Sequence, residues 1–239
     1  MYSSLHNHSE YSVLDGFGHP EQYLQRAREA GVRAFAITEH GNAYSWPYFD
    51  ALHEKYPEIK LIFGVEFYEC FDHKVKDKDS KYFHLIALAK NERGRIALNK
   101  LITQSNFEGF YYKPRVDLKM LRLYAKDLVV SSACLASKIA REPDYEKAVA
   151  YALEYQKIFP HFYLEMQSHA TEAQAEYNKK ILLISKQTDI PFIITTDSHA
   201  ATESDLEFQQ WHVRIARDAE TAEEIYSGCY VQSEAEIPA

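Results

Sequence analysis

The chain has 239 residues, 46% hydrophobic and 14% aromatic, with 27 basic and 35 acidic side chains for a net charge of −8. That is enough for a full core in one large α/β domain or two small ones, and the acidic balance argues against a protein that holds nucleic acid mainly by a broad basic surface. No apolar run nears the roughly 20 residues of a membrane span and no basic-then-apolar leader opens the chain, so a cytoplasmic protein with no membrane partner is expected.

Tyr2 to Leu5 reads as a short strand running into His6-Asn7-His8 and then Asp15-Gly16. Side chains two apart on a strand share a face, so His6 and His8 form a pair suited to a divalent transition metal, zinc or manganese above all. Pro20 to Ala30 is expected to be a helix, with proline in its first turn and Gly31 just past its end. Arg33 to Thr38 is an apolar strand delivering Glu39-His40-Gly41-Asn42, and a helix is expected over Ser45 to Lys55. Lys60 to Phe67 is a third strand, with Glu66 inside an otherwise apolar run.

Polar residues Phe71 to Lys81 separate that strand from Tyr82 to Ala89, a hairpin pattern. A turn centred near residue 75 sets Glu66 directly opposite His84, close enough for both to bind one ion. Asn91 to Gln104 is expected to be helical. The loop from Gly109 to Arg115 interleaves Phe110, Tyr111 and Tyr112 with Lys113 and Arg115, a composition that suits the bases and phosphates of a nucleotide.

Asp127 to Ser131 is the fifth strand, leading to Cys134; Asp144 to Phe159 is an amphipathic helix; His161 to Met166 is the sixth strand, with Glu165 at its end and His169 beyond. Thr171 and Gln174 make a capping-box pattern for a helix reaching Thr188. Ile190 to Thr195 is the seventh strand, followed by Asp197 and His199; Asp205 to Ala216 is the last long helix, and Tyr230 to Ala239 a short tail.

Seven strands alternating with helices favour a closed or nearly closed barrel, with a flat doubly wound sheet as the rival. No linker or repeat divides the chain, so a single domain over 1–239 is expected, with a core of about 1–217 and a tail of 218–239. Ligand-type residues recur at the strand ends, the rim where (β/α) barrels build active sites. Eleven histidines in so acidic a chain point to metal, whereas Cys70, Cys134 and Cys229 make no disulfide framework.

The segments HNHSEYSVLDG, ITEHGN, FGVEFY, YFHLIALAKN, EGFYYKPRVD, SSACLAS and TTDSHA together resemble the PHP (polymerase and histidinol phosphatase) domain, in the version at the N-terminus of bacterial DNA polymerase III alpha subunits. The resemblance runs over nearly the whole chain. It implies a distorted seven-stranded (β/α)7 TIM-like barrel and a centre of three divalent ions, zinc, manganese or iron. One ion would use His6, His8, Glu66 and Asp197; a second Glu66, His84 and Cys134; the third Asp15, His40 and His199.

The implied activity is phosphoester hydrolysis by metal-bound hydroxide held at Glu66 and Asp197, with Lys113 or Arg115 clamping the phosphate. The implied function is that of a 3′→5′ exonuclease on DNA 3′ ends; hydrolysis of small phosphomonoesters and a non-catalytic role beside other polymerase domains or subunits stay open. Glu165 and His169 stand as candidates to orient ligand imidazoles. No polymerase active site is expected in this chain, which on sequence alone is either a stand-alone protein or a fragment.

Overall fold

In the computed structural model, residues 2–217 and 226–237 are described. The elements in order are β1 (Ser3–Ser4), α1 (Pro20–Glu29), β2 (Ala34–Ile37), α2 (Trp46–Leu52), β3 (Lys60–Cys70), β4 (Tyr82–Ala89), α3 (Glu92–Phe107), β5 (Arg115–Asp117), α4 (Leu118–Arg122), β6 (Leu128–Ser131), α5 (Tyr145–Ile158), β7 (Phe162–Gln167), α6 (Glu172–Thr188), β8 (Phe192–Thr195) and α7 (Leu206–Arg217). Local chemistry sets the helix starts. Asn91, Asp117, Asp144 and Thr171 each accept a hydrogen bond from the backbone three residues on, satisfying N–H groups the helix itself leaves free. The expected capping box at α6 is half-formed: the Gln174 amide turns to Asn178 at 2.9 Å.

The sheet runs β1-β2-β3-β4-β6-β7-β8, with β5 outside this path against β3. All pairs along the path are parallel except those made by β4, which is antiparallel to both β3 and β6. Beyond the strand ends, Asn7 and Ser198 form a parallel bridge, with His8 N donating to Ser198 O at 2.7 Å and Ser198 N to His6 O at 3.1 Å. Those bonds bring the first and last strands together and nearly close a barrel, against the flat-sheet alternative. The seven strands read from sequence form the path; β5 is the one they miss, three residues that follow the aromatic-basic loop.

The β3–β4 pairing is offset by two from the expected register: Tyr68 stands opposite His84, and Glu66 opposite Ile86. Because side chains alternate between faces, an offset of two leaves Glu66 and His84 on the same face, as diagonal neighbours. The face decides what each residue meets. Phe35, Ile37, Val65, Phe67, Leu85 and Ala87 point outward into the main core under the helices, beside Leu24, Leu98 and Ile181. Ala36, Ile86 and Leu88 point inward, packed with Leu5, Ile62 and Val129 as an apolar plug at one end of the barrel.

Part of the expected tail packs against the barrel. His199 N donates to Cys229 O at 2.7 Å, Ala200 bridges to Tyr230, and Cys229 and Val231 are buried. The rest of that segment, residues 218–225 and 238–239, lies outside the described residues.

Candidate metal centre

At the other end of the barrel the inward-facing residues are polar. His6 and His8 follow β1, His40 follows β2, Glu66 lies within β3, Cys134 follows β6, and Asp197 and His199 follow β8. His84 comes from near the start of β4, because that strand runs antiparallel and meets the rim with its first residues.

Donors that share one ion at bonds of about 2.0–2.3 Å stand roughly 3–4 Å from one another. His6 Nε2 lies 3.1 Å from His8 Nε2, 3.3 Å from Glu66 Oε1 and 3.0 Å from Asp197 Oδ1. His8 Nε2 lies 3.4 Å from Glu66 Oε2 and 3.5 Å from Asp197 Oδ1. A second set adjoins it, in which His84 Nδ1 is 3.0 Å from Glu66 Oε1 and Cys134 Sγ is 3.5 Å from His84 Nδ1 and 3.8 Å from Glu66 Oε1. In the third, Asp15 Oδ2 lies 2.8 Å from His40 Nε2 and 3.7 Å from His199 Nε2. Glu66 thus stands between sets, and its Oε2 is also 2.7 Å from His40 Nδ1.

The polypeptide around these donors is tightly shaped. Leu14, Ala133 and Asp197 adopt positive φ of 63°, 58° and 45°, so a strained conformation sits at Asp197 itself and directly before the donors Asp15 and Cys134. Gly16 carries no Cβ because one would lie 2.2 Å from Ser9 O, and this contact folds the loop bearing Asp15 over His8 and Ser9. At Gly41 (φ +62) a Cβ would meet Pro114 at 2.9 Å.

Hydrogen bonds settle which imidazole nitrogen faces inward. His6 Nδ1 lies 2.7 Å from Glu165 Oε1, whose carboxylate also accepts from Ser131 and Thr195 hydroxyls. Ser12 Oγ donates to Glu39 Oε2 at 2.6 Å, so it accepts from His8 Nδ1 at 2.9 Å. Both rings therefore turn Nε2 towards the centre, where a bound ion would take the place of the Nε2 proton, the way a carboxylate beyond a metal-bound histidine fixes its tautomer. His169 does not contact a ligand imidazole by hydrogen bond; its Nε2 lies 2.8 Å from Thr196 O and 3.3 Å from Cys229 Sγ.

The electrostatics ask for cations. His6 and His8 are fully buried, and Glu66, Glu165 and Asp197 ion-pair with histidines rather than with lysine or arginine among the described residues. Burial alone would raise the Glu66 pKa, but the charges of His84, His40 and His6 outweigh it and hold the carboxyl well below its usual range. Asp15 is likewise pulled down by His199 and His40 against the effect of burial. Burial, with Glu66 and Asp197 nearby, drives the Cys134 thiol well up, so thiolate ligation there requires a bound ion to displace the proton. Glu66 Oε2, Asp197 Oδ1 and His40 Nδ1 are buried and meet their partners as close ion pairs, Glu66 Oε2–His40 Nδ1 at 2.7 Å and Asp197 Oδ1–His6 Nε2 at 3.0 Å, rather than as well-aligned hydrogen bonds. Buried carboxylates need compensating cations, and acceptors and imidazoles that converge at ligand distances without well-aligned hydrogen bonds fit divalent metal.

A pocket of about 230 Å³ opens on seven of these donors, all but the fully buried His6 and His8, and on Tyr226 and Cys229. Lys113 lines a second cavity beside it, with Nζ 5.2 Å from the centre of the Tyr68 ring. Arg115 is brought elsewhere: fully buried, it donates to the carbonyls of Gly109, His73 and Val75 at 3.1, 3.3 and 2.8 Å. Its side chain pins the aromatic loop and does not reach the pocket.

Three contributors escape the sequence reading. Glu39, buried and bonded to Ser9 and Ser12, had a signal, being a carboxylate at the end of an apolar strand beside the candidate ligand His40. Tyr226, whose hydroxyl donates to Asp15 Oδ1 at 2.5 Å, and Arg141, which lines both cavities, stand in no local pattern.

The PHP domain model matches residues 4–169, a stretch that holds seven of the nine donors. The chain belongs to the PHP domain family. This PHP chain is 33% identical over 230 residues to the DNA polymerase III subunit alpha of Helicobacter pylori (strain J99), covering 90% of the chain and 19% of that protein. It is 35% identical over 228 residues to the same subunit of Borreliella burgdorferi, covering 92% and 20%. The chain thus spans about a fifth of the length of these curated relatives. Among solved structures, a protein assigned as a metal-dependent phosphoesterase from Bifidobacterium adolescentis superposes with a TM-score of 0.53 at 14% identity, over 82% of this chain and 87% of that one. An amidohydrolase from Chromobacterium violaceum gives 0.53 at 13% identity, over 85% and 89%. These two likenesses concern the fold, a distorted TIM-like barrel. No helix among the described residues is long and apolar enough to cross a membrane.

Proposed function

We propose that this chain is a metal-dependent phosphodiesterase that removes nucleotides from DNA 3′ ends, with three divalent ions held by His6, His8, Glu66 and Asp197, by Glu66, His84 and Cys134, and by Asp15, His40 and His199. The observation that carries the proposal is Glu66: its Oε1 faces His6 and His84, and its Oε2 faces His8 and His40, the placement of a carboxylate that bridges ions. When bound, such ions supply Lewis acidity, a water of lowered pKa and a clamp on both oxygens of a displacement at phosphorus. The thiolate of Cys134 favours zinc in its set, and carboxylate-imidazole sets also suit manganese.

The chain's own residues prepare the site. Glu165 and the Ser12–Glu39 pair hold the His6 and His8 rings with Nε2 inward, and burial of both rings keeps bulk water off them. Lys113, at the mouth, offers a cation to a phosphate oxygen. The polymerase subunits among the relatives support DNA as the substrate and further polymerase domains as partners.

The test is nucleotide release from a 3′-labelled single-stranded oligonucleotide with and without chelator; release that the chelator stops is expected. Turnover of small phosphomonoesters alone would replace this reading by the second one, which the net charge of −8 favours. Bound metal with no turnover of either would leave a structural role.

A further inference from the structure

The metal pocket does not end at the donors. A cavity of about 540 Å³ opens beside it and shares Asp15, His40, His84 and Arg141 with its wall. Its far side is aromatic, with Tyr11 from the β1–α1 loop, Tyr68 from β3 and Tyr82 from β4. Tyr68 joins the two spaces, its ring 5.8 Å from that of His40 and 5.5 Å from that of His84, with Tyr82 set edge-on to it at 5.4 Å. Tyr11 is held by stacking on Tyr48 at 5.1 Å. Two cations stand at the edge. Lys113 lies over Tyr68, and Arg141 is exposed, spending one weak bond from Nη1 on Tyr82 O at 3.4 Å.

From this geometry we infer that the cavity is a nucleoside pocket for the unpaired terminal residue of a single DNA strand, with Arg141 and Lys113 on its phosphates. A phosphomonoester group needs only the smaller pocket; a volume of 540 Å³ falls in the range of small-molecule sites, about 300–1,000 Å³. Aromatic walls recognise any base by its face, and only an unpaired base offers that face freely. With a net charge of −8 the chain as a whole does not attract the dense charge of a duplex, and two local cations with stacking suit one strand better than two. The inference takes its substrate class from the exonuclease reading, and binding is therefore measured apart from cleavage.

The experiment uses the full chain, metal-loaded, with fluorescein-labelled oligothymidylate bearing a 3′-terminal phosphorothioate. Affinity is read by anisotropy, and catalysis separately on the small diester methyl p-nitrophenyl phosphate. Tyr11→Ala and Tyr82→Ala are each expected to weaken oligonucleotide binding about tenfold while leaving small-diester turnover within about twofold. Arg141→Ala should also flatten the salt dependence, lowering the slope of log affinity against log salt by roughly 0.7. Unchanged binding in both tyrosine variants, equal losses on both substrates, or blunt duplex bound as tightly as single strand would each overturn the pocket. Tyrosine-dependent binding without any cleavage would keep the pocket and remove the exonuclease reading.

Discussion

The two ends of the barrel interior are built on the same strands and differ in almost every other respect. Along β3 the inward face passes from Ile62 to Glu66 to Tyr68; along β4 it passes from Leu88 through Ile86 to His84. At the apolar end a cavity of about 650 Å³ is lined by Leu5, Ile62, Leu88 and Val129 together with Lys60, Lys90, Arg95 and Glu92, a single carboxylate with no His, Cys or Asp beside it. At the polar end the pocket is about 230 Å³, yet the donors converge around it, and of the five non-glycine residues with positive φ among the described residues three are a donor or directly precede one. Size does not mark the site; convergent donors held in strained backbone do. A barrel interior must be sealed somewhere, and sealing one end with side chains lets the other carry buried charge.

Substitutions at the two ends should therefore separate activity from stability. Asp197→Asn, which removes a charge facing both His6 and His8, is expected to lower chelator-sensitive hydrolysis at least a thousandfold while, compared in the chelated state, it melts close to wild type; wild-type rates would break the contrast. Leu88→Ala at the apolar end should do the reverse, costing about 2 kcal/mol of stability in denaturant unfolding while the folded fraction keeps its turnover number.

Glu165→Gln, which keeps a hydrogen-bond acceptor for His6 but loses the charge, should weaken metal affinity about 10–100-fold, read by competition with a chromogenic chelator; unaltered affinity would mean that Glu165 only packs. The smallest effect is in pH. In the metal-free chain burial works to lower the His40 pKa, but Glu66 and Asp15 prevail and raise it from 6.5 to about 10. Its contribution to metal-free stability is thus complete below pH 6.5 and lost as pH rises toward about 10. Metal requires the unprotonated ring and gains over the same interval. The difference in Tm between metal-loaded and chelated protein should widen from about pH 6 to about pH 9; a gap that narrows would contradict the assignment of His40.

Much of this was legible from residue order, because the strands are short apolar runs and most donors fall at their ends, where a barrel rim must lie. His6 and His8, His40, Cys134, and Asp197 with His199 could be placed that way. Glu66 and His84 were paired correctly by face though not by position, since a two-residue offset changes the opposite neighbour and preserves the side of the sheet. Arg115 misled because charge in an aromatic loop reads the same from sequence whether it faces solvent or, as here, three carbonyls in the interior. Tyr226 was invisible, since its contact with Asp15 spans 211 residues and depends on a chain return that no local pattern announces.

The central claim is that the cluster around Glu66 holds metal ions, and elemental analysis of the purified chain before and after chelation tests it most directly. Three divalent ions per chain, released by chelator together with phosphoester hydrolysis and reduced in Asp197→Asn, is the predicted result. A chain that stays free of metal after dialysis against zinc and manganese, with the same melting temperature throughout, would contradict it.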